Sequence, residues 1–188
     1  MQVKKLLVIG IFSAVSLIAG NYNVDVSHSN VGFKVKHLMI SNVKGNFSEF
    51  SGSFEYDEKT NTLKKLDGVI EVKSINTANA KRDTHLRSSD FFDSEKYPLI
   101  TFKLLEVDGD EVYGDFTMKG ITKKIKLDYE AGGSNKNPRG MAVAAFSLSG
   151  KINRGDFNLS WNKALETGGF VVGDTIKLEI ELEGVEAK

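Results

Sequence analysis

The chain has 188 residues, 40% of them hydrophobic, with 25 basic against 25 acidic side chains and no cysteine. The balanced charge excludes nucleic-acid binders, which carry a clear basic excess. The missing cysteines exclude a disulfide framework, thiol catalysis and cysteine-held metal or iron–sulfur sites, so an ordinary hydrophobic core must stabilise the fold.

Residues 1–20 read as a secretory signal peptide. Lys4 and Lys5 precede an uncharged apolar run over 6–19, and the small residues Ala19 and Gly20 close it, the charged–apolar–small order of an export signal. The run is short for a membrane span, and Asn21 rather than Cys follows it. The expected product is therefore soluble and exported, with no stable membrane span after signal removal and no lipid anchor. Setting Lys4 and Lys5 aside leaves 23 basic against 25 acidic residues. Residues 21–188 are long enough for one domain with a sizeable core.

From there the hydrophobic period is two almost throughout. Residues 23–27 form a first extended segment. Val31, Phe33, Val35, His37 and Met39 alternate with Lys34 and Lys36, and Phe50, Phe54 and Tyr56 alternate with Ser51, Ser53 and Glu55. Residues 57–61 carry a turn signal, and 68–73 a further strand. Residues 77–89 break the rhythm. Ala78, Ala80, Lys81, Arg82, Leu86 and Arg87 favour helix there with no Pro or Gly, and Thr77 or Asn76 supplies a cap. Segments 99–107 and 112–118 flank Asp108-Gly109, a short hairpin signal. Lys119-Gly120 turns the chain into 121–129. Residues 132–140 read as a longer flexible loop, ahead of the strand marked by Ala142, Ala144, Phe146 and Leu148. Residues 155–165 are less regular, a helical turn and loop. Ile176, Leu178, Ile180 and Leu182 then alternate with Lys177, Glu179, Glu181 and Glu183.

Some eight or nine strands with charged outer faces need closure or a second sheet to bury the other face. The predicted fold is all-β: a single antiparallel barrel of about eight strands with a short helix across one end. A barrel of that size is either filled by side chains or holds one small ligand, and periodicity alone leaves both open.

Several stretches carry a resemblance. They are Asp25-Val-Ser-His-Ser29, Val31-Gly-Phe-Lys-Val-Lys-His-Leu38, and Val43-Lys-Gly-Asn-Phe47 with Phe50 and Gly52. The most specific block is Arg82-Asp-Thr-His-Leu-Arg-Ser-Ser-Asp-Phe-Phe-Asp93, followed by Tyr97-Pro98 and Thr101-Phe102. Gly114-Asp-Phe-Thr-Met-Lys-Gly-Ile-Thr-Lys123 and Arg154-Gly-Asp-Phe157 come later. In this order, over nearly the whole of 21–188, the sequence resembles the YceI-like proteins. The resemblance implies a lipocalin-like barrel exported to the periplasm, whose apolar cavity binds a polyisoprenoid, an isoprenoid quinone or a similar long-chain amphiphile. It implies neither an established catalytic activity nor a cofactor. Asn158 stands where the family pattern has Gly, a departure that bears on the loop near Trp161.

The resemblance makes Phe33, Val35, His37, Phe47, Phe50, His85, Leu86, Phe91, Phe92, Phe102, Phe116 and Phe146 the candidate ligand-binding set. Phenylalanines are core by default, and a cavity turns some of them into walls. His28, His37 and His85 lack metal-ligand spacing, so no metal site is expected. Arg82, Asp83 and His85 read as a loop-locking network, because close Arg and Asp residues pair locally. No nucleophile elbow or phosphate-binding glycine loop occurs, and no enzyme is expected. The competing readings are an enzyme acting on an isoprenoid head through His37, Asp83 and His85, and a filled-barrel interaction protein. The sequence leaves homodimer formation open.

Overall fold

Wherever apolar and polar side chains alternate after residue 19, the chain is extended and paired with its neighbour. The structure is a computed structural model that describes residues 19–187; all but the last two residues of the expected signal peptide lie outside the described residues. The strands are β1 (Gly20–Val24), β2 (Asn30–His37), β3 (Ser41–Phe47), β4 (Phe50–Asp57), β5 (Thr62–Glu71) and β6 (Ile75–Asn76). Helix α1 (Ala80–Arg87) follows, then β7 (Leu99–Asp108), β8 (Glu111–Met118), β9 (Ile121–Lys136), β10 (Ala142–Asn153) and β11 (Val172–Glu186).

Eight of these strands close a ring in the order β1, β4, β5, β7, β8, β9, β10, β11, with β11 returning to β1. Every pairing is antiparallel. The return is divided along β11. Its last residues pair with β1 at Val24↔Gly184 to Tyr22↔Glu186. Its earlier residues pair instead with β2, at Ile176↔Val35 to Glu181↔Asn30. The β2–β3 hairpin thus continues the wall upward from β1, and β6 pairs with β3 only at Asn46↔Asn76 and Phe47↔Ile75.

The inward parity is the one the alternation predicts. Val112, Phe116, Met118, Leu127, Phe146, Leu148, Leu178 and Leu182 are buried, whereas Lys124, Lys126, Lys177 and Glu179 are exposed. Gly114 also faces inward because the Phe102 ring lies across it. A β-carbon there would come within 2.3 Å of the ring, so only glycine allows the approach.

One end is shut by aromatic packing. Tyr22 stacks on Phe54 with centroids 5.2 Å apart, Phe54 meets Phe146 edge-on at 5.0 Å, and Tyr129 lies 6.0 Å from Phe146. Tyr22 donates a hydrogen bond to Glu58 Oε1, and burial together with that carboxylate pushes its phenol well above the usual range. The Tyr56 hydroxyl faces Tyr129 and the Gly133 backbone but reaches good hydrogen-bond geometry with neither.

Four sequence expectations shift. Met39 does not extend β2: the strand ends at His37, and residues 38–40 form the turn into β3. The first strand is Gly20–Val24, and within 23–27 the chain already turns into a 3-10 segment, Val26–His28, capped by Asp25. Helix α1 starts at Ala80 under an Asn79 cap, because Thr77 and Asn76 bond elsewhere. The flexible loop expected over 132–140 is mostly strand, since β9 runs to Lys136. Its turn is held by Asn137 Oδ1, which accepts from the amides of Arg139 and Met141.

Candidate functional site

At the end opposite the aromatic plug the barrel is open, and α1 lies across the opening. The helix is fixed at both ends. At its start, buried Asp83 accepts hydrogen bonds from the Thr77 amide (3.0 Å) and hydroxyl, while Arg82 donates to the Thr77 hydroxyl (2.7 Å) and carbonyl (2.8 Å). At its end, Arg87 donates to the carbonyls of Lys73 (2.8 Å) and Ile75 (3.2 Å). Hydrogen bonding of this kind makes a buried carboxylate tolerable; Arg82 and Asp83 meet on Thr77 rather than pairing with each other, and His85 bonds to Asp90 outside this network. Both bonds to Asp83 fall on its Oδ1.

Beneath the helix is a vestibule of about 560 Å³, within the usual range for small-molecule sites. Phe33, Val35 and His37 of β2, Leu86 and His85 of α1, Phe91, Trp161 and Val172 form most of its wall. Lys36, Lys81 and Arg82 stand at its rim, and no carboxylate is among its lining residues. The His85 ring sits edge-on to Phe91 and Trp161, with centroids 5.0 and 4.9 Å away. Its Nε2 lies 2.9 Å from Asp90 Oδ2, on the outer side of the wall.

The vestibule leads inward. Phe33, Val35, Leu86, Phe91 and Val172 also border a second hollow of about 100 Å³, and Val31, Ile70, Phe116, Leu178 and Ile180 join that one to a third of about 60 Å³. The two inner hollows are almost wholly apolar, and they narrow toward the aromatic plug. Phe33 is held at the entrance because its ring crosses Gly45, where a β-carbon would come within 2.5 Å. A larger hollow, about 680 Å³, lies on the outer face of β9, β10 and β11. It is lined by rows of lysines, including Lys124, Lys126, Lys151 and Lys177, and is a solvent groove separate from the interior.

Of the residues singled out from the sequence, Phe33, Val35, His37, His85, Leu86 and Phe91 meet at the vestibule. Phe47, Phe92 and Phe116 border the middle hollow, and Phe50 and Phe102 the deepest one. Phe146 borders none of these hollows and belongs to the plug. Sequence reasoning missed Trp161, Val172, Ile70 and the row Ile176, Leu178 and Ile180. The last three carried a signal, the inward parity of β11; Trp161 sits in irregular chain and Val172 opens β11 ahead of its alternation, so neither carried one.

Arg154, also missed, is buried and holds that irregular chain in place. Its guanidinium donates to the carbonyls of Leu159, Trp161 (2.9 Å) and Gly173 (3.1 Å), and it pairs with Asp174 at 3.3 Å. Asn158 takes the left-handed conformation, φ 55° and ψ 30°, a backbone that glycine also adopts freely. Asn is among the non-glycine residues that adopt it most readily. His28 is far from the mouth: with Asp25 (3.0 Å) and Glu183 (3.8 Å) it forms a surface cluster beside the β1–β11 pairing.

Residues 22–184 match the YceI-like domain. A UPF0312 protein of Staphylococcus epidermidis is 42% identical over 163 residues, which cover 86% of this chain and 95% of that one. The crystal structure of the Campylobacter jejuni YCEI protein superposes with a TM-score of 0.71 at 41% identity, over 87% of this chain and 96% of that one. A polyisoprenoid binding domain from Saccharophagus degradans, 16% identical, shares the fold with a TM-score of 0.68, over 88% and 98% of the two chains.

Proposed function

The chain belongs to the YceI-like family, and on that premise we propose that it is a non-catalytic binding protein for a polyisoprenoid, an isoprenoid quinone or a similar long-chain amphiphile. The observation that carries this reading is the row of three adjoining hollows, the vestibule and the middle one sharing Phe33 and the middle and deepest ones sharing Phe116. A tail laid along it leaves water at a gain of roughly 25 cal/mol per Å² of apolar surface buried, and the head stays among the polar groups of the rim. A rim of Lys36, Lys81 and Arg82 without a lining carboxylate suits a neutral or anionic head better than a cationic one.

The inner hollows are narrower than a long tail, so uptake includes side-chain movement along the path. Helix α1 is fastened at both ends, so the movement is one of side chains repacking rather than of a lid. We further propose that the protein works as a carrier in the periplasm, exported by the apolar leader read over residues 1–20. Fluorescently tagging the mature chain and fractionating cells checks that location directly.

Binding is tested by native mass spectrometry on protein purified from its own source, followed by titration with an isoprenoid quinone while Trp161, the chain's single tryptophan, is monitored. A stoichiometric long-chain ligand and a saturable Trp161 response are expected. Phe33→Asp is expected to weaken uptake by at least tenfold while outward Lys124→Ala leaves it unchanged, since a charge in the path forfeits at least ~1.4 kcal/mol. A protein that is empty and takes up no added lipid supports the filled-barrel interaction reading instead, which the small inner hollows favour.

A further inference from the structure

The mouth end carries a feature that ligand binding does not use. Leu38, Met39 and Ile40, at the tip of the β2–β3 hairpin, are 37%, 55% and 83% exposed, and Phe170 is 50% exposed. They form one patch. The Leu38 amide donates to the Val171 carbonyl (2.8 Å), and Met39 Cγ lies 3.2 Å from where a β-carbon on Gly169 would stand. Leu38 and Met39 both have positive φ, 51° and 63°. Gly and Asn adopt this conformation at much lower cost. Large apolar residues at these positions are thus explained neither by the turn nor by the core.

Basic residues stand at the same end. Lys36 lies one residue before His37 at the end of β2, Lys81 shares the vestibule rim, and the carbonyl of Lys163 accepts from the Val171 amide. Among the described residues none of these three lysines is within ion-pair distance of a carboxylate. Of the acidic groups nearby, Glu166 lies in the neighbouring loop, Asp174 near the start of β11 is paired with Arg154, and Asp90 bonds to His85. The chain before β1 joins the barrel at the other end, where Gly20 pairs with Tyr56.

We propose that the hairpin tip and Phe170 form a docking element that seats the mouth of the barrel on a lipid bilayer with anionic headgroups. The apolar side chains enter the headgroup boundary and the lysines meet the surface charge. The cavity then opens onto the phase from which an apolar cargo is drawn. This last point rests on the binding function proposed above; the docking itself does not.

The chain has no cysteine, so a single environment-sensitive fluorophore can be placed at Ile40→Cys, or at Lys59→Cys at the closed end as a control. Each labelled full chain is mixed with phosphatidylcholine vesicles and with phosphatidylcholine–phosphatidylglycerol vesicles carrying a spin-labelled lipid. The label at 40 is expected to shift to the blue and be quenched with the anionic vesicles, and the label at 59 to stay in water. The combination Lys36→Gln, Lys81→Gln and Lys163→Gln is expected to weaken vesicle affinity about a hundredfold.

Docking is overturned if the label at 40 stays in water, if the label at 59 inserts in its place, or if neutral vesicles serve equally well. A blue shift that needs no vesicles and grows with protein concentration also overturns it, in favour of a second copy of the chain. The Trp161 titration separates the two ideas. A normal Trp161 response with a solvated label at 40 leaves binding standing without docking, and the converse leaves docking standing without binding.

Discussion

Asp25 and His28 illustrate how much of a surface pair depends on protonation. The Ser27 hydroxyl, then the His28 ring, hold the Asp25 carboxyl down at about 2. The same contact with Asp25, helped by Glu183, raises His28 above the ordinary imidazole value. A depressed carboxyl contributes stability above its unfolded value and loses it as pH falls toward the folded one. A raised imidazole contributes fully below its unfolded value and loses the contribution as pH rises through the folded one. The pair is therefore strongest between about pH 4 and pH 6.5. By NMR titration His28 is expected to have a raised midpoint that Asp25→Asn returns to the ordinary value. An unshifted His28 in the parent protein means that the pair does not form in solution. Both residues stand in the stretch Asp25-Val-Ser-His-Ser29, but nothing in the sequence paired them, and their third neighbour was out of its reach. Glu183 reaches them only because β11 crosses the whole molecule to pair with β1.

At the scale of elements, the irregular chain between β10 and β11 is held by a few side chains: Asn162 bonds both ways to Val172, Lys119 donates to the Asn158 carbonyl, and Arg154 makes the most bonds. Arg154 bonds to carbonyls at three places along it and to Asp174. Arg154→Met keeps the bulk and leaves those acceptors without their donor, at a cost of roughly 3 kcal/mol. The expected result is a lower Tm together with faster Trp161 motion by fluorescence anisotropy; a lower Tm with Trp161 still rigid would mean that the loop is held elsewhere. Elements were legible where side chains alternate, as in β8, β10 and β11. They were illegible where alternation lapses, as in β3, whose Lys44-Gly45-Asn46 gives no apolar face, and in the end of β9, where Gly132-Gly133-Ser134 has almost no side chains to read. The helix was found by composition, but its start was set by local bonds, since Asp83 and Arg82 take Thr77 away from capping and Asn79 caps instead.

For the whole molecule, closure followed from the number of one-faced strands. Whether the ring is filled did not, because an inward Phe looks the same in sequence whether it abuts another ring, as Phe146 does, or a hollow, as Phe33 does. The divided pairing of β11 bears on this. β1 closes the ring at the plugged end, while the β2–β3 hairpin is hinged on β11 above it, and β3 meets β6 at only two residues. In hydrogen exchange, the amides of residues 41–45 that face away from β2 are expected to exchange early and those of β8 and β10 late; uniform protection would mean that the hairpin is locked to the ring. The hairpin shapes the mouth without being needed to shut the barrel. Exposed residues at its tip are free to change in size over generations while the folding of the ring is left alone, so the mouth of this fold can be reshaped without first becoming unstable.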